Sequence, residues 1–157
     1  MIQRIQTIFL FLIAAAMGMA LALPIWEKAG PRPPEMAHLS AFAYSQQTGV
    51  TTFVTPVWYL GGLMVIIALV ALYTLFQYRN RLLQTILCAV NAILLTTVMG
   101  LVLYLTIYKN QQYGSPTDQG NFLPGFYGLI VSLVFNALAN RFIRKDEKLV
   151  RDSDRFR

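Results

Sequence analysis

The chain has 157 residues, of which 56% are hydrophobic and 13% are charged. A soluble domain carries about 25% charged residues, so this composition excludes an ordinary soluble fold and indicates an integral membrane protein. The formal net charge of +6 predicts contact with membrane lipids rather than nucleic acid, because most basic residues lie beside apolar segments.

Four apolar segments are long enough to cross a membrane, for which a helix needs about 20 residues. We therefore predict an all-α integral membrane protein, a bundle of four transmembrane helices that forms a single domain over residues 1–157. The predicted spans cover approximately residues 5–25, 57–76, 82–108 and 122–140.

The first span follows a single charge at Arg4. Pro24 and Trp26 are expected to mark its exit into the aromatic belt at the membrane surface. Residues 26–56 then form the only long connection, and its proline-rich start at 29–34 excludes a helix there.

The second half of this connection has the pattern of two strands. Residues 41–45 and the β-branched run 50–55 flank a polar turn at 46–49. We predict a small β-hairpin on the outer membrane face. Two strands alone are marginally stable in water, so the hairpin is expected to rest on the helix ends or on a partner.

Basic residues are distributed unequally between the two predicted sides of the membrane. The turn 77–81 contains Arg79 and Arg81, and the tail 141–157 contains seven more basic residues. Of the thirteen basic residues, ten fall on the side of the termini and three on the other side. This positive-inside bias predicts cytoplasmic N- and C-termini and an outer loop at 26–56.

Small residues spaced four apart predict where the helices pack. Membrane helices associate through small side chains and interhelical hydrogen bonds, because moving an apolar side chain from lipid to a protein interface gains little free energy. Three spans carry such a stripe. The stripes are Ala14, Gly18 and Ala22; Cys88, Ala92, Thr96 and Gly100; and Gly128, Ser132, Asn136 and Asn140.

Polar side chains inside the spans have two interpretations. They either form hydrogen bonds between helices, which is favoured because small bundles commonly use them, or line a cavity for a small molecule. The candidate residues are Asn91, Ser132, Asn136 and Asn140. No acidic, basic or histidine residue lies inside a span, so the ionisable groups of a proton or ion pathway are missing.

Groups that carry chemistry are few. His38 is the only histidine and Cys88 the only cysteine, so this chain alone offers neither a multi-histidine nor a multi-cysteine metal or haem site. Glu27 or Glu35 beside His38 would give an acid–base group, but no spacing fixes its geometry and a solvated loop is the better interpretation. We therefore expect no enzymatic activity and no cofactor.

The tail at 141–157 mixes its basic residues with acids at helical spacing, and we predict that the fourth span continues into this cytoplasmic tail as a helix. Phe142, Leu149 and Phe156, seven residues apart, would form an apolar seam. Two interpretations stay open: an anchor on anionic headgroups and a docking site for a larger membrane-protein partner. The candidate partner-binding residues are Arg144, Lys145, Lys148, Leu149, Arg151, Arg155 and Phe156.

Three blocks of sequence carry a family resemblance: MIQRIQT at 1–7, YRNRLLQ at 78–84 and, above all, LANRFIRKDEKLVRDSDRFR at 138–157. The chain resembles a family of small four-span membrane proteins of unknown function from Bacteroidota-type bacteria. The resemblance covers essentially the whole chain. It implies a bacterial inner membrane and a four-span fold, but no reaction, ligand or functional residue.

These observations predict a non-enzymatic accessory or assembly subunit of a bacterial inner-membrane complex. It would dock larger partners, or further copies of itself, through the outer loop and the basic tail. The alternative is an oligomeric carrier or binder of a small apolar or lipid-like molecule, with Asn91, Ser132 and Asn136 lining a cavity.

Overall fold

The computed structural model of the chain describes residues 2–30, 32, 35–77, 80–108 and 118–155. The fold is mostly helical and includes a small antiparallel sheet. The helices are α1 (Ile2–Ala22), α2 (Trp58–Phe76), α3 (Arg81–Leu103), which continues into a π-helical turn at Tyr104–Tyr108, and α4 (Pro124–Arg155). The strands are β1 (Trp26–Ala29), β2 (Met36–Leu39), β3 (Ala43–Thr48), β4 (Thr51–Pro56) and β5 (Asn121–Phe122).

Within the described residues, three helical segments are long and apolar enough to cross a membrane, and the chain is therefore a membrane protein. They are Trp58–Phe76, Leu82–Tyr108 and Pro124–Asp146. The first two coincide with the predicted second and third spans, and the last continues past the predicted end at 140. The apolar part of α1, Gln6–Ala22, is shorter than these three.

Prolines set two helix boundaries at the end where the sheet lies. α1 ends at Ala22, just before Pro24, which lacks the N–H that would continue the helix. α4 begins with Pro124, at the first helical position, where a missing N–H has no cost. The predicted spans therefore extend two or three residues too far at these two ends.

The helices pack in sequence order. Each helix contacts the next one along the chain, and α4 also packs against α1 in the most extensive of the helix contacts. The sheet lies where α1 ends and where α2 and α4 begin. Fully buried side chains include Leu10, Ile13, Met17 and Ala20 of α1, Leu60, Met64 and Ile67 of α2, Leu95, Val98 and Val102 of α3, and Leu129 of α4.

The stripes of small residues predict the packed helix face correctly for α4 but largely incorrectly for α1 and α3. In α4, Gly128, Ser132 and Asn136 are buried. In α1, by contrast, Gly18 and Ala22 are exposed. The buried small residues of α1 are Ala16 and Ala20, and in α3 Thr96 and Gly100 also face outward. The spacing shows that the small residues share one face of a helix, but it does not show whether that face packs against another helix. An apolar face can instead be exposed to lipid at little cost in free energy.

The sheet is larger than the predicted hairpin. In the part of the chain that the structure describes, it has five antiparallel strands in the order β4-β3-β2-β1-β5, so the prediction of only two strands is wrong. β3 and β4 do form a hairpin, but its turn is Gly49 and Val50 rather than 46–49. Gly49 has φ +61°, which suits the first central position of a type II′ two-residue turn. The four-residue strands β1 and β2 show too little alternation to be recognised locally.

β5 attaches the sheet to the start of α4, and Trp26 lies at this junction. Trp26 is completely buried between its cross-strand partners Leu39 and Phe122, and its indole Nε1 donates to the Gln119 carbonyl at 2.9 Å. The prediction that Trp26 belongs to an interfacial belt is therefore wrong. Gly120 has φ +73°, and a Cβ there would lie 2.5 Å from the Glu27 carbonyl oxygen, so the connection needs glycine at this position.

Candidate functional site

Among the described residues, the most deeply buried amides lie on α3 and α4, which pack against each other. Asn136 is 2% exposed, and its Nδ2 donates to the backbone carbonyl of Cys88 at 3.0 Å, from α4 to α3. Asn91 is 1% exposed. Neither amide atom of Asn91, nor Oδ1 of Asn136, has a hydrogen-bond partner among the described residues.

The two asparagines lie at the same level of this interface. Cys88 and Asn91 are three residues apart on α3, so they share a face, and both are buried. Because Asn136 bonds to Cys88, its amide lies within about one helical turn of Asn91. One donor and two acceptors without partners in such a place suit one internal water or one polar group of a small ligand.

The other two predicted interhelical residues bond within their own helix. The Ser132 hydroxyl donates to the Gly128 carbonyl at 2.9 Å. Asn140 Oδ1 accepts from Arg144 Nε at 3.1 Å. Of the four candidates, Asn136 is the one for which a hydrogen bond between helices is seen.

Two further buried amides were missed by the sequence analysis. Gln84 is 4% exposed, and its Nε2 lies 3.5 Å from the Thr74 carbonyl, a long contact between α3 and α2. Gln6 of α1 is equally buried, and its Nε2 has no partner among the described residues. The sequence does show a glutamine near the end of an otherwise apolar run in both cases. A long polar side chain at such a position is usually expected to reach water, so burial was not predicted.

On the sheet, the strand register places Glu27 opposite His38 and His38 opposite Ser45. The Ser45 hydroxyl, however, lies 3.4 Å from the backbone carbonyl of His38 rather than pairing with the imidazole. Glu35 is also engaged elsewhere, because its Oε1 accepts from the Gly49 N–H at 3.0 Å. Glu35 therefore supports the β3–β4 turn. Among the described residues, no cluster of three His, Cys, Asp or Glu side chains is arranged to hold a metal ion.

The edge strand β4 is the most exposed part of the sheet. All six of its residues are exposed, including Phe53 at 64% and Val54 at 61%. β4 ends the strand order, so one side of its backbone has no strand neighbour in the described structure. Its sequence contains no charge. Proteins usually protect such edges with charged residues, bulges or covering segments.

At the opposite end of the molecule, α4 continues into the tail as predicted. Arg144, Lys145 and Lys148 are exposed. Leu149, Arg151 and Arg155 lie within α4, but their side chains fall outside what the structure describes, and Phe156 lies outside the described residues altogether.

Of the predicted apolar seam, Phe142 is the one residue whose side chain the structure describes, because the side chains of Leu149 and Phe156 lie outside the described part of the chain. The Phe142 ring stacks on Phe9 of α1 with 5.6 Å between centroids and 19° between planes. Phe9 also contacts Phe135 at 5.8 Å. Phe142 is therefore part of the α1–α4 contact.

Two shallow recesses of about 340 Å³ lie on helix surfaces. The recess on α3 is lined by Ala92, Ile93, Thr96 and Thr97. Its two hydroxyls donate to carbonyls of their own helix, so they have no strong need of a ligand. The recess on α4 is basic and is lined by Ala137, Asn140, Arg141 and Arg144.

A family model for the domain of unknown function DUF4293 matches residues 2–156. The chain belongs to this family. The DUF4293 match includes the helices and the sheet alike, in agreement with the whole-chain resemblance seen in the sequence. Its description names no reaction or ligand, and no curated protein matches the chain.

The two buried asparagines are expected to respond differently to replacement by leucine. Asn136→Leu should lower the free energy of unfolding by about 0.6–1.7 kcal/mol, because it removes an interhelical hydrogen bond. Asn91→Leu should leave that free energy unchanged or raise it, because an unpartnered amide becomes an apolar side chain of similar size. Reversible unfolding in mixed micelles measures both. A larger loss for Asn91→Leu would contradict this and indicate a bound water or ligand at Asn91.

Proposed function

We propose that this DUF4293 protein is a four-helix bundle with four transmembrane spans in a bacterial inner membrane. α1 has 21 residues, which at about 1.5 Å per residue matches the roughly 30 Å hydrocarbon core. Its contacts with both α2 and α4 support a fourth span. An even number of spans puts both termini on one side, and the ten basic residues on that side favour the cytoplasm.

Its function, we propose, is that of a non-enzymatic accessory or assembly subunit of a larger inner-membrane complex. The observation that carries this proposal is the exposed β4 edge, with Phe53 and Val54 open on an uncharged strand. Such an edge is a template for pairing with a strand of another protein. The exposed basic residues of α4 provide a second surface at the other end of the bundle.

The test combines purification in mild detergent at native expression level with variants of the sheet. Val54→Lys places a charge on the open edge and should abolish stoichiometric co-purification of a membrane-protein partner. Met36→Lys is the matched control, since Met36 is 54% exposed on the inner strand β2, and it should retain the partner. Recovery of the wild-type protein alone, or equal effects of the two variants, would contradict docking through β4.

A second candidate function is binding or carriage of a small apolar or lipid-like molecule within the bundle. The unpartnered amide atoms of Asn91 and Asn136 favour it, because a ligand's polar group would satisfy them. Native mass spectrometry of the purified protein should then show a bound small molecule that Asn91→Leu removes. Retention of that molecule by the variant would place it elsewhere.

A further inference from the structure

The basic recess on α4 is formed by one face of the helix. Ala137, Asn140, Arg141 and Arg144 are spaced three and four residues apart, so they lie side by side along the helix surface. Both arginines and Ala137 are exposed, whereas Asn140 is half-buried at the base. The recess therefore has a small apolar end at Ala137 and a cationic end at Arg144.

Arg144 is held in position for a ligand. Its Nε donates to Asn140 Oδ1 at 3.1 Å, which uses one of the five N–H donors of the guanidinium. The planar guanidinium matches the geometry of a phosphate, to which it donates two parallel hydrogen bonds. Arg141 adds a second cation one turn nearer the apolar end.

The position of the recess along the membrane normal indicates which kind of phosphate it would bind. Arg144 lies four residues beyond Asn140, which is about 6 Å along the helix axis. The headgroup region extends roughly 5–7 Å beyond each side of the hydrocarbon core, and the uncharged run of α4 ends at Asn140. With the hydrocarbon core ending near Asn140, as in the proposed four-span topology, Arg144 lies at the level of the lipid phosphates and Ala137 at the level of the first acyl carbons. Arg141 lies at the edge of the core, from which its long side chain reaches the headgroups.

We propose that the Asn140–Arg141–Arg144 recess binds the phosphate of an anionic phospholipid. Arg144, oriented by Asn140, donates hydrogen bonds to two phosphate oxygens, and Arg141 donates to another. The small side chain of Ala137 leaves room for the glycerol and the upper acyl chain. Lys145 and Lys148 continue the same exposed face but lie further from the apolar core. They attract anionic lipids in general without forming the site. This inference does not depend on a protein partner.

The test uses the full-length protein in neutral detergent and measures binding of phosphatidylglycerol and phosphatidylcholine by native mass spectrometry. Arg141→Gln with Arg144→Gln should weaken phosphatidylglycerol binding about 30-fold, since each cation at the phosphate contributes about fivefold. Lys145→Gln with Lys148→Gln removes the same charge from the same face. It should weaken binding less than about threefold, because these ammonium groups lie further from the bound phosphate and donate no hydrogen bond to it. Equal losses in the two double variants would overturn the proposal.

Two further measurements keep the proposal open to refutation. Arg141→Lys with Arg144→Lys retains charge but lacks the bidentate geometry, so it should give an intermediate loss even if the glutamine variant fails to fold. Binding of phosphatidylcholine as tight as that of phosphatidylglycerol would contradict selection of an anionic lipid. Displacement of phosphatidylglycerol by millimolar inorganic phosphate or glycerol 3-phosphate would assign the recess to soluble phosphates and overturn the lipid assignment.

Discussion

Replacing Trp26 with alanine should lower the free energy of unfolding by about 3–5 kcal/mol, the range typical of deleting a buried tryptophan side chain. Trp26 is completely buried and supports Leu39 on one side and Phe122 on the other. The variant also loses the hydrogen bond from the indole to Gln119. β5 pairs with two residues of β1, so the change should release β5 from the sheet. Denaturant unfolding in detergent measures the first effect, and hydrogen exchange at Phe122 the second.

Trp58→Ala is the matched control for this prediction. Trp58 is 72% exposed at the start of α2, so its removal leaves no cavity in the protein. In detergent it should change the free energy of unfolding by no more than about 0.5 kcal/mol. If Trp58→Ala destabilised the protein as much as Trp26→Ala, burial at the sheet junction would not be the dominant contribution of Trp26.

Gly128→Val is expected to lower the free energy of unfolding by about 1–3 kcal/mol through overpacking. A Cβ at residue 128 would lie 2.9 Å from the backbone carbonyl oxygen of Ala16 and 3.4 Å from the Cβ of Ala20. The nearest obstacle is backbone, so α1 and α4 must move apart to accommodate valine. This movement weakens the most extensive helix contact in the molecule. Unfolding in mixed micelles measures the loss.

Gly18→Val provides the corresponding control within α1. A Cβ at residue 18 meets nothing within 4 Å, and Gly18 lies on the exposed face of its helix. Both substitutions exchange a helical glycine for the same β-branched residue, so intrinsic helix preference largely cancels between them. Gly18→Val should therefore be nearly neutral. Equal destabilisation by the two variants would show that the effect comes from the helices themselves rather than from the α1–α4 interface.

The sequence was sufficient for features that depend on local composition. Hydrocarbon thickness fixes the number of consecutive apolar residues in a span, so the segments at 57–76 and 82–108 could be read directly. The continuation of α4 into the basic tail was also predicted, from the spacing of its charges. Of the polar candidates, Asn136 was correctly placed at a buried helix interface, because a strongly polar side chain within a span needs protein around it.

The tertiary structure alone decided which helix faces are covered and how the sheet is assembled. Large apolar residues such as Phe11, Leu69 and Ile93 are exposed on the helices, so hydrophobicity did not separate lipid-facing from buried surfaces. Trp26 looked like an interfacial residue because its partner β5 lies more than ninety positions away in the chain. Spans follow from a local count of apolar residues that the bilayer imposes, whereas buried faces and strand partners depend on contacts between distant segments that no local pattern records.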